Sequence, residues 1–426
     1  MLKTLILKNV GPASEMHLDF GSRLNILTGD NGLGKSFLLD MIWWSLTRTW
    51  PAEVNSSLTS GKKALPHPKK AGSIASIFSS KNKEEHKLTS KFLPKLQEWG
   101  VNPGRPPIPG LVFYAMSDGS FAAWDPARNY WKNRENIHRP PAYVFSPTEV
   151  WNGLKSEDGK WLCNGIIRDW ASWQKENDRQ YENWKFLLKH LSPSTFEVFS
   201  PGNLTRIDLD DVRDMPTLRM PYGQDVPIVH ASSGVRRIIA LAYFLLWGWE
   251  EHLLASKLIR NPQSDQVIFL VDEIESHLHP SWQRVIVPAI LSVMDRLHKT
   301  ANVQLITATH SPLTMSSIEP GFNPETDAWF DIDFKKKEKK VVLRKCDFEN
   351  LGESDAWLTS DAFDLDSTRA PAYQKLIDQA SELFSKKNRT KKEMGEMTNQ
   401  LVQALNPKDP FLIRWNFFCV KEGLIK

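Results

Sequence analysis

Eight residues, Gly29-Asp30-Asn31-Gly32-Leu33-Gly34-Lys35-Ser36, leave the apolar run Leu24 to Leu27 and enter a stretch with helical spacing from Lys35 to about Thr49. A G-x-x-x-x-G-K-S pattern between a strand and a helix constrains the fold more than any other feature of the chain. Glycine lets consecutive backbone amides turn inward around phosphate oxygens, and the helix N-terminus adds its positive end. The amides of Asn31, Gly32, Leu33, Gly34, Lys35, Ser36 and Phe37 would cradle a triphosphate. Lys35 would neutralise its β and γ phosphates, and the Ser36 hydroxyl would hold Mg²⁺. An α/β fold is the expectation, with the loop at the carboxyl end of a sheet strand.

A second element agrees with the first. Ile268-Phe269-Leu270-Val271 reads as a strand buried on both faces, and it ends in Asp272-Glu273, a Walker B arrangement. Asp272 would reach the metal and Glu273 would polarise an attacking water. Asp272 lies 237 residues after Lys35 (272 − 35), so an insertion splits the domain that holds both. Before this strand, His230-Ala231-Ser232-Ser233-Gly234-Val235-Arg236-Arg237 opens a long apolar helix, Ser233 to about His252. A serine N-cap on a core helix accounts for that locally. Order along the chain points instead to an anion site made by Ser232, Ser233 and Gly234. His310 follows the strand Val303 to Ala308, 38 residues after Asp272 (310 − 272), where it could contact a γ-phosphate. His277 and His279 stand beside Pro280, and intersubunit packing suits them better than metal ligation.

In this order the motifs resemble those of ABC-type ATPases, with Ser232 and Gly234 at the serine and second glycine of the signature and Ser233 in place of its first glycine. Asp272-Glu273-Ile274-Glu275-Ser276-His277-Leu278-His279-Pro280-Ser281-Trp282-Gln283-Arg284, followed by Thr309-His310-Ser311-Pro312, looks like the SMC/RecF/OLD branch, and is most similar to its stand-alone bacterial AAA-family members. The resemblance covers residues 1–50 and roughly 225–350. It implies ATP and Mg²⁺, a homodimer or higher homo-oligomer formed by heads that sandwich ATP, Ser232 to Gly234 completing the partner's site, and Glu273 and His310 as catalytic residues. It further implies a switch in antiphage defence that controls a separately encoded nuclease or other effector. A RecF-like repair ATPase that binds DNA directly and an ATP-dependent assembly scaffold are the competing readings. Heptads for a long coiled coil are missing, and the tail beyond Leu351 carries no clustered carboxylates of the kind a nuclease would use. The glutamine such ATPases place after the strand following the glycine-rich loop has no counterpart among Gln97, Gln174, Gln180 and Gln224. If Tyr143 to Phe145 is that strand, Thr148 or Glu149 takes the position.

The expected fold class is therefore α/β, an ABC-type P-loop ATPase head with a mixed sheet and an inserted helical, Trp-rich subdomain. The head is expected in two pieces, 1–50 and 195–350. Between them lie a Lys-, Ser- and Pro-rich insertion, partly mobile, at 51–110, a β-rich part of the head at 111–149 and a helical insertion at 150–194; a C-terminal helical region, 351–426, follows. Eight of the 17 tryptophans fall between Trp99 and Trp184, most simply as an aromatic core. Lys335 to Lys339 reads as the solvated turn of a hairpin. A net charge of +4 from 54 basic and 50 acidic side chains argues against a general nucleic-acid coat protein, although nine lysines between Lys62 and Lys95 leave local DNA contact open. Cys163, Cys346 and Cys419 are too few and too far apart for a disulfide framework. Met1 to Val10 lacks the pattern of a secretion signal, and the longest apolar run, Ile238 to Trp247, is about half a membrane span. The expected address is cytoplasmic, with no membrane partner.

Overall fold

The computed structural model describes every residue except 81–83, 101–107, 131–132, 135–136, 139, 195, 298–300, 361, 364, 387–388, 422 and 424–426. Lys81, Lys83 and Trp131, counted above, lie outside the described residues. The chain divides into two compact units, Met1–Trp357 and Leu358–Lys426.

In the first unit, β1 (Leu2–Lys8) and β2 (Glu15–Asp19) pair antiparallel, and β3 (Leu24–Gly29) leads through the glycine-rich loop into α1 (Lys35–Thr47). Three further strands, β4 (Ser73–Ser79), β5 (Glu85–Leu93) and β6 (Glu98–Trp99), extend the β1–β2 pair into a five-stranded sheet of order β2-β1-β4-β5-β6. Ser73–Ser79 and Glu85–Leu93 therefore form strands within the stretch read from sequence as a Lys-, Ser- and Pro-rich insertion. The alternation is present but written in serine: Ile74, Ser76 and Phe78 point inward on β4, and Ser90, also buried, accepts from Arg48 Nη1 at 3.0 Å. Lys87 and Lys91 occupy alternate, exposed positions of β5.

The central sheet has eight strands. To β3 it adds β7 (Leu111–Ala115), β8 (Phe121–Trp124), β9 (Tyr143–Phe145), β10 (Gln266–Val271), β11 (Asn302–Ala308), β12 (Asp327–Lys335) and β13 (Lys340–Cys346), in the order β9-β8-β7-β10-β11-β3-β12-β13. Strands β7, β10, β11, β3 and β12 run parallel, whereas β8 and β13 run against their neighbours, so the sheet is mixed as expected. All six residues of β10 are buried, which accounts for the apolar run from Val267 to Val271.

One face of the central sheet shares a core with α1 and the five-stranded sheet, including Leu38, Ile42, Trp43, Tyr114, Ile268 and Ile306. The other face is covered by α4 (Ser233–Leu258), which the sequence ended six residues early, and α2 (Ile166–Glu176) and α3 (Arg179–His190) pack in turn against α4. Phe121 stacks on Phe244 with centroids 4.1 Å apart, Phe145 meets Phe244 edge-on at 4.9 Å, and Trp170 meets Trp184 at 4.9 Å. Trp170, Trp173 and Trp184 thus form an aromatic cluster that reaches Tyr243 of α4, whereas Trp161 is exposed. Among the described residues α4 is the one helix long and apolar enough to cross a membrane, and most of it is enclosed here by sheet and aromatic rings. Helical spacing runs from Pro280 to about Leu297 and predicts one helix, but the structure has two, Pro280–Gln283 and α5 (Ile286–Leu297). Cys163, Cys346 and Cys419 form no disulfide among the described residues.

The second unit holds α6 (Pro371–Ser385), α7 (Lys391–Ala404) and α8 (Pro410–Lys421), around its own core of Ile377, Met394, Leu401, Trp415 and Cys419.

Phe244 is 1% exposed and touches rings from two strands. Truncation there leaves a cavity the strands cannot collapse into, so Phe244→Ala is expected to lower unfolding free energy by about 3–5 kcal/mol in chemical denaturation.

Candidate functional site

The glycine-rich loop begins where β3 ends. Gly34 has φ 101°, in the left-handed region, and this turn aims the first amides of α1 away from the sheet. Asn31 and Gly32 are exposed, Leu33 and Gly34 half-buried, and Phe37 packs over Gly11, where an added Cβ would come within 2.3 Å of its ring. Lys35 is buried, and its ammonium curls into the loop, donating to the Gly29 carbonyl at 2.7 Å and the Asp30 carbonyl at 3.0 Å. Burial lowers the Lys35 pKa, and Asp272, Glu273, Glu275 and Asp30 pull the other way. Three of those four acids come from the loop after β10.

Asp272 sits at the carboxyl end of β10, 2% exposed, and its Oδ1 has no hydrogen-bond partner. Burial raises its pKa, and hydrogen bonding from the Ser36 and Ser117 hydroxyls offsets part of that. An unpartnered buried carboxylate oxygen beside a serine hydroxyl suits a hard cation, which prefers oxygen ligands. Ser36 and Asp272 therefore fit Mg²⁺.

Glu273 and His277 both adopt left-handed backbone conformations, φ 45° and 64°, each of order 1–3 kcal/mol above ordinary geometry. Turns closed by Ser276 N–H to Glu273 O (2.8 Å) and Leu278 N–H to Glu275 O (2.9 Å) hold this loop. Glu275 reaches the loop after β11, where its carboxylate accepts from Thr309 Oγ1 at 2.8 Å and from the His310 backbone N–H. His310 is thus fixed through its own backbone. Burial first, then the nearby Lys35, lower its imidazole pKa, which keeps the ring neutral at neutral pH.

Ser232 caps α4, accepting from Val235 N–H at 3.4 Å. Gly234 lies against the loop after β10, since a Cβ there would meet the His277 carbonyl oxygen at 2.6 Å. Arg237, one turn on, is 6% exposed and donates to the carbonyls of Met116 (2.7 Å) and Asp272 (3.3 Å). Burial brings its pKa down to about 10.

The structure brings Lys35, Ser36, Asp272, Glu273 and His310 to one end of the central sheet, and places Gly234, just after Ser232 and Ser233, against the loop that carries Glu273. It moves the loop sought for the missing glutamine. The strand beside β10 is β7, so residues 116–119 occupy that place and Ser117 stands next to Asp272. Thr148 and Glu149 follow β9 at the sheet's edge, where Glu149 closes a capping box on the helix Pro147–Asn152. His279 caps the helix Pro280–Gln283, and no cluster of His, Cys, Asp and Glu suited to a metal occurs among the described residues.

Sequence reasoning missed Glu275, Arg237, Ser117, Asp40 and Tyr114. Asp40 had a signal, as a lone acid among Leu38, Leu39, Met41 and Ile42 one turn beyond Ser36. Burial pushes its carboxyl up to about 7, against the Tyr114 hydrogen bond at 3.0 Å, and Asp272 and Asp118 add to the rise.

Fold and site together give an α/β domain whose glycine-rich loop and acidic loop meet at the end of one parallel set of strands. The family described as "AAA domain" matches residues 4–158, and that described as "AAA domain, putative AbiEii toxin, Type IV TA system" matches residues 124–316. The two matches overlap and lie in different parts of the chain, and the chain is similar in sequence to retron ATPases and to Septu PtuA. "Retron Vc95 probable ATPase" of Vibrio cholerae serotype O1 biovar El Tor is 27% identical over 168 residues, 39% of this chain and 30% of that protein, so the chain spans under a third of this relative's length. "Septu protein PtuA" of Bacillus thuringiensis is 21% identical over 418 residues, 96% of this chain and 95% of that protein. Among solved structures the SMC head domain from Thermotoga maritima is 13% identical with TM-score 0.39, covering 81% of this chain and 99% of that one.

The raised Asp40 pKa has a pH signature. A carboxyl at about 7 in the fold against 3.8 ordinarily favours the folded state fully only below about pH 4, and that contribution fades as pH rises to 7. Asn does not titrate. The melting-temperature difference between Asp40→Asn and the wild type should therefore shift in the variant's favour between pH 4 and 7 and level off above, in thermal scans without nucleotide; a flat difference would contradict this.

Proposed function

We propose that this protein is a cytoplasmic ATPase that closes head to head with a second copy around two ATP molecules and acts as a switch in antiphage defence, holding or releasing a separately encoded nuclease or other effector. The observation that carries the reading is the convergence of Lys35, Ser36, Asp272, Glu273 and His310 at the carboxyl ends of β3, β10 and β11, with an unpartnered Asp272 oxygen beside Ser36. Similarity to Septu protein PtuA along nearly the whole chain, and to a retron ATPase over part of it, supports the defence context.

Each residue has a task in this reading. Amides from Asn31 to Phe37 receive phosphate oxygens, and Lys35 exchanges its two carbonyl partners for the β and γ phosphates. Ser36 and Asp272 would hold Mg²⁺, which when bound neutralises charge on the phosphates. Glu273 orients and deprotonates the attacking water, its carboxylate presented by the strained backbone. His310, kept neutral, can donate one hydrogen bond to a γ-phosphate oxygen while Glu275 holds its backbone. Ser232, Ser233 and Gly234 serve the other copy's nucleotide. The contact of Gly234 with the His277 carbonyl lets that event reach the loop bearing Glu273.

Glu273→Gln should reduce turnover by about 10²- to 10⁴-fold, the usual weight of a general base, while ATP-dependent dimers accumulate in light scattering. An ATP-dependent assembly scaffold, whose ATP is structural and not hydrolysed, would assemble alike in wild type and Glu273→Gln, and that outcome would falsify the switch.

One observation favours a second reading, direct DNA contact. Lys8, Ser73 and Lys91 stand in register across β1, β4 and β5, with Lys87 two pairs along, so the lysines share one open sheet face. DNA binding there would weaken steeply with added salt, whereas no binding at low salt removes this reading.

A further inference from the structure

The candidate metal site is built from two halves. Ser36 belongs to α1, whereas Asp272 and Ser117 belong to the loops after β10 and β7. The second half is tied together by backbone, because β7 and β10 pair in parallel and the Asp272 N–H donates to the Ala115 carbonyl at 2.8 Å. Helix α1 lies against these strands through apolar side chains, with the Trp43 ring 6.1 Å from that of Tyr114. Apolar packing fixes volume but leaves a helix free to slide by fractions of an ångström, whereas a hydrogen bond fixes a direction. Asp40 and Tyr114 supply one. Asp40 is four residues after Ser36 and so on the same face of α1. It accepts from the phenol of Tyr114, which is 1% exposed and two residues before the 116–119 loop.

We propose that the Tyr114–Asp40 hydrogen bond is the strut that sets Ser36 against Asp272 and Ser117, and that Asp40 and Tyr114 are positioning residues for the metal-bearing end of the nucleotide site. The proposal rests on the ATP and Mg²⁺ reading above. The strut acts only on the register of the two halves. It touches neither the phosphate-binding amides nor Lys35, whose own contacts are to Gly29 and Asp30. Its loss should therefore weaken the metal-dependent part of nucleotide binding and leave the metal-independent part alone. A residue that only stabilises the fold would move neither part, or both together.

The experiment measures the affinity of the full-length protein for a fluorescent ATP analogue, once with Mg²⁺ and once with EDTA, alongside thermal unfolding. In Tyr114→Phe, which keeps the ring and removes the hydroxyl, the Kd with Mg²⁺ should rise about three- to tenfold, the equivalent of one neutral hydrogen bond, with the Kd in EDTA unchanged. Asp40→Ala should do the same. Asp40→Asn, which keeps a carbonyl to accept from the phenol, should stay close to wild type. The strut is overturned if both Kd values move together, if neither moves while the melting temperature falls, or if Asp40→Asn loses as much as Asp40→Ala, since that would make the charge and not the hydrogen bond the active element. A wild-type protein that binds the analogue equally with and without Mg²⁺ would instead remove the metal site itself, a failure separate from that of the strut.

Discussion

Everything in the candidate site hangs on a short ladder of backbone hydrogen bonds that runs past the ends of the central strands. Asp272 N–H donates to Ala115 O at 2.8 Å, Ile274 N–H to Ala308 O at 3.2 Å, and Thr309 N–H to Leu27 O at 3.0 Å. These three bonds join the residues just after β10 and β11 to the carboxyl-end residues of β7, β11 and β3, segments up to 282 residues apart in the chain (309 − 27). Parallel strands end on a common edge, and the amides just beyond them pair across that edge before the chain turns away. Glu275 then adds side-chain bonds from the loop after β10 to the loop after β11. The constellation is therefore a property of the sheet before it is one of any motif.

The same edge concentrates buried charge. Burial raises the pKa of Asp272 and Glu275 and brings Asp40 to about 7, and it lowers those of Lys35 and Arg237. Carboxylates crowded in low dielectric disfavour one another, and a cation placed among them relieves both burial and repulsion. Perturbed groups gathered at the end of parallel strands are a functional signature with a physical cause. The left-handed backbone at Glu273 and His277 adds stored strain on the one loop that carries the candidate base.

Much of this was legible beforehand. The glycine-rich loop, the apolar strand ending in Asp272 and the strand before His310 each carry a local pattern whose cause is local: phosphate-facing amides, burial on two faces, a strand that must stop. The antiparallel sheet formed with residues 73–99 was not legible, because Ser76 and Ser90 fill buried positions that a hydrophobic alternation would have marked. The tryptophans of 150–194 were readable as core, though not which surface they close. Short elements such as Pro280–Gln283 and α5 merged in the sequence, since helical spacing persists across a break of two residues.

By itself the sequence determined which residues have the chemistry to bind phosphate and a metal, and that they occur in an order which splits one domain around an insertion. Tertiary structure alone decided which loop faces Asp272, because strand order is a long-range choice: β7 and not β9 lies beside β10, so Ser117 and not Thr148 or Glu149 stands beside Asp272. It also decided the supporting contacts of Glu275, Arg237 and the Asp40–Tyr114 pair. Each depends on two segments far apart in the chain meeting at hydrogen-bond distance, and no local spacing encodes that.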